Sequence, residues 1–373
     1  MGPLKGIKII EIGGIGPSQL AGMLLADMGA SLVRIERPFS ADIGVDIDPD
    51  FNILNRSRPI IEVDLKSNDG VALVLDLCAD ADAIFEGFRP GVMERLGLGP
   101  DECMKRNPKL VYGRMTGWGQ QGPLADKVGH DPNYIALSGV YSAIGEKNGD
   151  PVYPLNLVGD MGGGGAYLVI GMLAALLESG RSGKGQIIDA AMVDGAASLM
   201  TPLHGLLAAG MWKEKRGSNI LDGGAPFARA YRTLDGKHVA IAPLEKKFFR
   251  NLLNELEIDD IDPKEQYNQK EWGRIQKRFE AVFITRTRDE WNDRLKDTET
   301  CFSPVLGIRE SMEHPHNQAR KTYVTVNEIK QAAPAPRFSR TTSEISAAAA
   351  GAKPDLKAVL KNWGASDDIL KQF

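Results

Sequence analysis

Short apolar runs alternate with helix-length stretches through the first 114 residues, and this alternation narrows the fold more than any other feature. Ile7 to Ile12 reads as a buried strand, and Gly13, Gly14 and Gly16 as a turn. Leu20 to Met28 reads as an apolar-faced helix and Ser31 to Ile35 as a second strand. Ile60 to Asp64 predicts a third strand and Val71 to Ala79 the next helix. Ala83 to Phe85 and Leu110 to Arg114 continue the series. Strands that alternate with helices build a parallel sheet covered on both faces, so this part of the chain is α/β.

The pattern loosens near Gly195. Leu203 to Trp212 reads as a helix, and the charged, glycine-rich Lys213 to Gly224 as a linker. Ala230 to Thr233 and His238 to Ala242 flank the turn Asp235-Gly236 and predict a hairpin. Phe248 to Leu256, Glu271 to Thr285 and Arg288 to Lys296 read as helices, which makes a small α+β unit. His314 to Thr325 reads as a second irregular stretch, and the tail from Lys353 as one closing helix. The expected layout is a large domain over 1–200, a linker over 201–224, a small domain over 225–312, a linker over 313–330, and a segment 331–373 returning to the large domain.

Composition removes several function classes. The 373 residues are 43% hydrophobic, enough for a large core, and the formal charge of -4 gives no ground for a nucleic-acid partner. Cys78, Cys103 and Cys301 form no CxxC pair, which argues against a disulfide framework or a zinc site, and no metal cluster is visible. The start MGPLKGIKII has no signal-like apolar core, and the C-terminal Lys371-Gln372-Phe373 is no peroxisomal address. The longest apolar stretch, Ala166 to Leu177, is shorter than a bilayer requires. The expectation is a cytoplasmic protein with no membrane partner.

Several motifs carry chemistry, each with a structural alternative. Gly14-Ile15-Gly16 before a helix, with Glu36 ending the next strand, loosely fits a dinucleotide fingerprint. Gln19 stands where the third glycine belongs, and Arg37 follows the acid directly. Arg37, Arg56, Arg58, Lys66 and Arg89 recur near strand ends; they suit phosphates, or are solvated surface charges. In Gly129-His130-Asp131-Pro132-Asn133-Tyr134, Asp131 suits an N-cap and Pro132 the first helical position. His130 would then stand just outside a helix start, as a general base or as an ordinary structural histidine. Asp160 precedes Gly162 to Gly165 and an apolar helix, as an N-cap or as a reactive carboxylate. Burial would raise its pKa and the helix end would lower it, and the sequence leaves that balance open.

The ordered motifs resemble the α-methylacyl-CoA racemase family of the class III CoA-transferase superfamily over nearly the whole chain. They include Gly14 to Pro17, Ala26 to Pro38, Val63 to Lys66, Phe88 to Pro100 and Arg114 to Gly122. They continue with Gly129 to Asp131, Asn133-Tyr134, Leu155 to Asp160 and His314 to Asn317. The resemblance implies a Rossmann-like large domain with a smaller α+β domain, in an interlocked homodimer. It implies an acyl-CoA substrate, with CoA part of that substrate and no separate cofactor. The expected activity is inversion of the α-carbon of 2-methyl-branched acyl-CoA by 1,1-proton transfer through an enolate.

By the same resemblance, His130 and Asp160 are the proton-transfer pair, Glu245 orients the histidine and Asn156 lies beside the aspartate. Arg37, Val63, Asp64, Leu65, Lys66 and Arg89, with Gly129 to Tyr134, fall where the family holds CoA. Pro132 departs from the isoleucine of the racemases and removes one N–H; the N–H groups of Asp131 and Asn133 remain candidates for the enolate oxygen. Met161, Met192, Met200 and Met211 are acyl-surface candidates or plain core. The transferases of the superfamily use an aspartate at the position of Asp160 as nucleophile and do not need His130. A transferase, a nucleotide-dependent oxidoreductase and a non-catalytic CoA-binding protein are the competing readings.

Overall fold

The computed structural model describes residues 2–38, 47–347 and 355–371. The chain forms two compact units. Unit 1 comprises residues 1–138, 154–200 and 318–373, and unit 2 comprises 139–153 and 201–317.

Unit 1 is built on a six-stranded parallel sheet. Its strands are β1 (Lys8–Ile12), β2 (Ser31–Glu36), β3 (Ile60–Glu62), β4 (Ala83–Glu86), β5 (Val111–Thr116) and β6 (Ile187–Ala191). Nearly every residue of β1, β4 and β5 is buried, as expected of strands covered on both faces. One face carries α2 (Asn68–Asp80) and α4 (Pro100–Arg106), with α3 (Val92–Arg95) in the same crossover; Leu73, Val74, Leu77 and Cys103 pack there against Ile10, Val33 and Ile84. The other face carries α1 (Pro17–Asp27) and α7 (Tyr167–Ser182), whose Leu25, Leu168 and Met172 meet Ile9, Leu32 and Phe85. The order β3-β2-β1-β4-β5-β6 runs outward in opposite directions from β1 and β4. Loops leaving the carboxyl ends of β1 and β4 therefore diverge and open a crevice, where ligands of such sheets bind.

Two short helices surround that crevice, α5 (Asp131–Leu137) and α8 (Met192–Leu199). Residues 158–166 form a wide-turn π-helix that runs into α7. This segment packs backbone to backbone: a Cβ on Gly195 would lie 1.9 Å from the Gly163 carbonyl oxygen, and one on Gly165 2.7 Å from that of Pro17. The glycine run is thus a packing requirement, and it sets Asp160 against α5 and the turn before α1. Beyond β6, unit 1 resumes with the hairpin β10 (Tyr323–Val326) and β11 (Ile329–Ala332), then α15 (Leu356–Trp363) and α16 (Asp367–Leu370). The single closing helix expected from Lys353 is therefore two, and residues 353–354 lie outside the described residues.

Unit 2 contains α6 (Val140–Ala143), α9 (Thr201–Ala208) and a three-stranded antiparallel sheet. Its strands are β7 (Arg229–Arg232), β8 (His238–Ile241) and β9 (Phe302–Pro304), packed by α10 (Lys246–Glu255), α11 (Trp272–Phe283) and α12 (Arg288–Leu295). Its core is aromatic, with Phe227, Tyr231, Phe249, Phe279, Phe283 and Trp291 in mutual ring contact. Helix α13 (Ile308–Glu313) follows, and α14 (Pro315–Arg320) spans the boundary of the two units.

Three sequence expectations need correction here. Residues 139–153, assigned to the large domain, group with unit 2. The stretch 213–224 is not a loose linker: buried Asn219 donates to the Lys213 carbonyl at 2.9 Å and to Asp222 Oδ2 at 2.7 Å, which fixes the loop. The apolar stretch expected to end at Leu177 belongs to one helical run, Leu155–Ser182, whose 28 residues are long and apolar enough to cross a membrane by length and composition alone. Its most apolar window is 39% buried inside the protein.

Candidate active site

The crevice between β1 and β4 opens into a cavity of about 1090 Å³. Three carboxyl-end segments supply its walls: Ile15 to Ser18 after β1, Gly87 to Pro90 after β4, and Met115 to Trp118 at the end of β5. Leu124, Ala125, Lys127 to His130, four side chains of α5, Asp160 and Met192 complete it.

His130 and Asp160 line this one cavity. His130, rather than Asp131, is the N-cap of α5, and its backbone N–H is held by Asn133 Oδ1 at 2.9 Å. Asp131 becomes the first helical residue and Pro132 the second, because Asp131 turns inward. Its Oδ2 accepts the backbone N–H of Asp160 at 2.6 Å. The Asn133 N–H is donated to the His130 carbonyl at 2.8 Å, which removes it from the candidates for an oxyanion. Tyr134 fixes the other side of the turn. Its hydroxyl donates to the Gly129 carbonyl, and its ring meets Trp118 edge-on at 4.7 Å. A Cβ on Gly117 would lie 2.0 Å from the Tyr134 ring and one on Gly129 2.8 Å, so both glycines are needed for that seat.

Asp160 sits in the first turn of the π-helix, four residues after Asn156. Leu155 adopts the left-handed conformation, φ 57°, and turns the chain so that Asn156 Nδ2 donates to Asp160 Oδ2 at 3.1 Å. On its other side Asp160 meets Gly16, φ 58°, where a Cβ would stand 3.1 Å from Oδ2. Burial raises the Asp160 pKa above the ordinary aspartate range; the Asn156 bond opposes this, the Asp131 charge adds to it, and His130 opposes it. The balance left open by the sequence falls on the side of burial.

Of the expected CoA contacts, Arg89, Gly129, His130, Asn133 and Tyr134 line the cavity, whereas Asp131 and Pro132 do not. Arg37 and Val63 to Lys66 follow β2 and β3 along the same carboxyl edge, with Arg37, Asp64 and Lys66 exposed and Val63 and Leu65 buried. Arg56 and Arg58 are no phosphate ligands. Arg56 is buried against Asp27 and Gln331, and Arg58 against Glu11. Glu245 lies in unit 2, exposed, as the N-cap of α10. Met192 lines the cavity, while Met161 and Met200 are half-buried outside its lining and Met211 is exposed in unit 2.

Sequence reasoning passed over Lys127 at the cavity wall and the support beneath the loops. Arg34 Nη2 donates to the Gly14 carbonyl at 2.7 Å while its guanidinium pairs with Glu11 and Glu36. Glu36 is thereby held by an arginine on its own strand, not left for a ribose. Buried Glu86 accepts the Phe88 N–H at 2.6 Å and pairs with Arg114, which fixes the loop carrying Arg89. Among the described residues no group of three His, Cys, Asp or Glu side chains is placed to hold a metal.

A doubly covered parallel sheet with an imidazole and a carboxylate at its switch point defines an α/β enzyme scaffold, and the chain belongs to CoA-transferase family III, which it matches over residues 4–358. It is 41% identical over 345 residues to the alpha-methylacyl-CoA racemase of Mus musculus, covering 92% of this chain and 88% of that one. Against the alpha-methylacyl-CoA racemase of Homo sapiens it is 40% identical over 325 residues, covering 87% and 83%. A CAIB/BAIF family protein from Brucella suis shares the fold, with a TM-score of 0.81 over 97% of this chain and 99% of that one at 24% identity.

Proposed function

We propose that this chain, an enzyme of CoA-transferase family III, interconverts the (R)- and (S)-forms of 2-methyl-branched acyl-CoA thioesters. The observation that carries the reading is that His130 and Asp160 line one cavity, with Asn156 bonded to the carboxylate. In one direction neutral His130 takes the α-proton, and protonated Asp160 delivers a proton to the opposite face. In the other direction the roles exchange. A raised carboxyl pKa suits a group that must be acid and base in turn near neutral pH. CoA enters as part of the substrate, its phosphates met by Arg89, Arg37 and Lys66, so that remote binding energy orients the acyl unit. The exposed apolar side chains Ile170 and Leu177 of α7 and Leu199 of α8 support the homodimer reading.

The test is incubation with each enantiomer of a 2-methylacyl-CoA in deuterated water. Deuterium at the α-carbon with loss of optical purity supports the proposal; thioester exchange with a free carboxylate and no α-deuterium redirects it. The partly exposed Asp160 carboxylate favours one second reading, a transferase with Asp160 as nucleophile. That reading predicts an aspartyl adduct trapped by hydroxylamine and tolerance of His130→Ala.

A further inference from the structure

We propose that Asp131 is a positioning residue: its carboxylate straps the backbone of Asp160 to the start of α5, and so sets the spacing of the His130 imidazole and the Asp160 carboxylate. An aspartate at the first position of a helix ordinarily faces water, where it complements the helix dipole. Asp131 does not. It is 3% exposed, and its Oδ2 takes the Asp160 N–H at 2.6 Å. The surroundings are shaped for that bond. A Cβ on Gly159 would fall 2.4 Å from Asp131 Oδ2, so the residue before Asp160 must lack a side chain for the carboxylate to reach. Asp131 is thus the covalent neighbour of His130 and the hydrogen-bonded neighbour of Asp160. No other described residue joins the two in this way. The charge has a second effect. The groups acting on Asp160 are Asn156, Asp131 and His130, with the Tyr134 phenol affected in turn, and of these Asp131 opposes ionisation of Asp160.

The inference rests on the proton-transfer reading, and its test separates the two. Wild-type enzyme, Asp131→Ala, Asp131→Asn and Gly159→Ala are assayed for α-deuterium exchange and for inversion of the 2-methylacyl-CoA enantiomer whose α-proton faces His130, the one that Asp160→Asn still exchanges. In Asp131→Ala a displaced Asp160 fails to deliver its proton, while His130 still exchanges the proton on its own face. Inversion should fall about a hundredfold, exchange far less, and KM should stay within about threefold. Gly159→Ala keeps Asp131 but crowds its carboxylate, and should show the same split. Asp131→Asn keeps an acceptor and loses the charge, so the Asp160 limb of the pH profile should move to lower pH. The Asp160 amide proton, read by NMR, should move upfield in Asp131→Ala whatever the reaction. An unmoved amide, a proportional loss of exchange and inversion, or a rise in KM alone overturns the strap. A wild type that exchanges no α-proton overturns the proton-transfer reading, and the amide shift still decides the strap.

Discussion

Replacing Glu86 by glutamine should make the stability of unit 1 less dependent on pH. Glu86 ends β4 with no exposed surface, and accepts the Phe88 N–H at 2.6 Å and the Arg114 Nε–H at 3.1 Å. Burial outweighs those bonds and the Arg114 charge, and pushes its pKa from 4.5 up to about 7. The folded protein therefore holds this proton more tightly than the unfolded chain. Its contribution to stability is fully present below about 4.5 and is lost as pH rises through about 7. At about 1.4 kcal/mol per pH unit, the loss between pH 5 and pH 8 is about 2–3 kcal/mol. Glutamine has nearly the shape of the protonated acid and no charge to desolvate. Glu86→Gln should be more stable than wild type by less than about 1 kcal/mol at pH 5 and by about 3 kcal/mol at pH 8. Denaturant unfolding followed across that range, with Phe88 amide exchange as the local probe, reads the difference. A difference that stays flat with pH would refute burial as the dominant influence on Glu86.

Three further outcomes follow from the packing. Arg58→Met strips one of two arginines from buried Glu11 and should cost about 3–5 kcal/mol, read by denaturant midpoint. Gly195→Ala drives a Cβ into the Gly163 carbonyl oxygen, and should lower stability by about 1–3 kcal/mol and reduce turnover together, since the same π-helix carries Asp160. Arg89→Ala should raise KM for acyl-CoA and flatten its salt dependence while kcat changes little, because this exposed cation at the cavity wall is read as a phosphate contact.

The sheet of unit 1 was legible because β1, β2, β4 and β5 are short, mostly apolar runs, broken only by Glu11, Arg34 and Arg114 within them, and helix-length segments separate them. Strand β6 was not, since Ile187–Ala191 lies at the sheet edge with Ile187 and Asp189 exposed, and Asp189 breaks its apolar pattern. The hairpin of Tyr323–Val326 and Ile329–Ala332 escaped for a related reason. Its turn, Asn327-Glu328, takes two positive φ angles without a glycine to announce them. At the site, the residue types around His130 and Asp160 were readable, but the direction of Asp131 was not. An aspartate before proline reads as an N-cap by local rules, and only the approach of Gly159 from 28 residues downstream turns it inward. Arg56 and Arg58 show the same limit. Their partners Asp27 and Glu11 precede them by 29 and 47 residues.

The central claim is tested most directly by enantiomer-specific exchange in single-base variants. His130→Asn and Asp160→Asn would each be given the separate (R)- and (S)-2-methylacyl-CoA in deuterated water, and α-deuterium would be read by mass. Each variant should exchange one enantiomer without inverting it, and the two should choose opposite enantiomers. Loss of exchange with both enantiomers in either variant, or the same choice by both, would contradict two bases acting on opposite faces of one carbon.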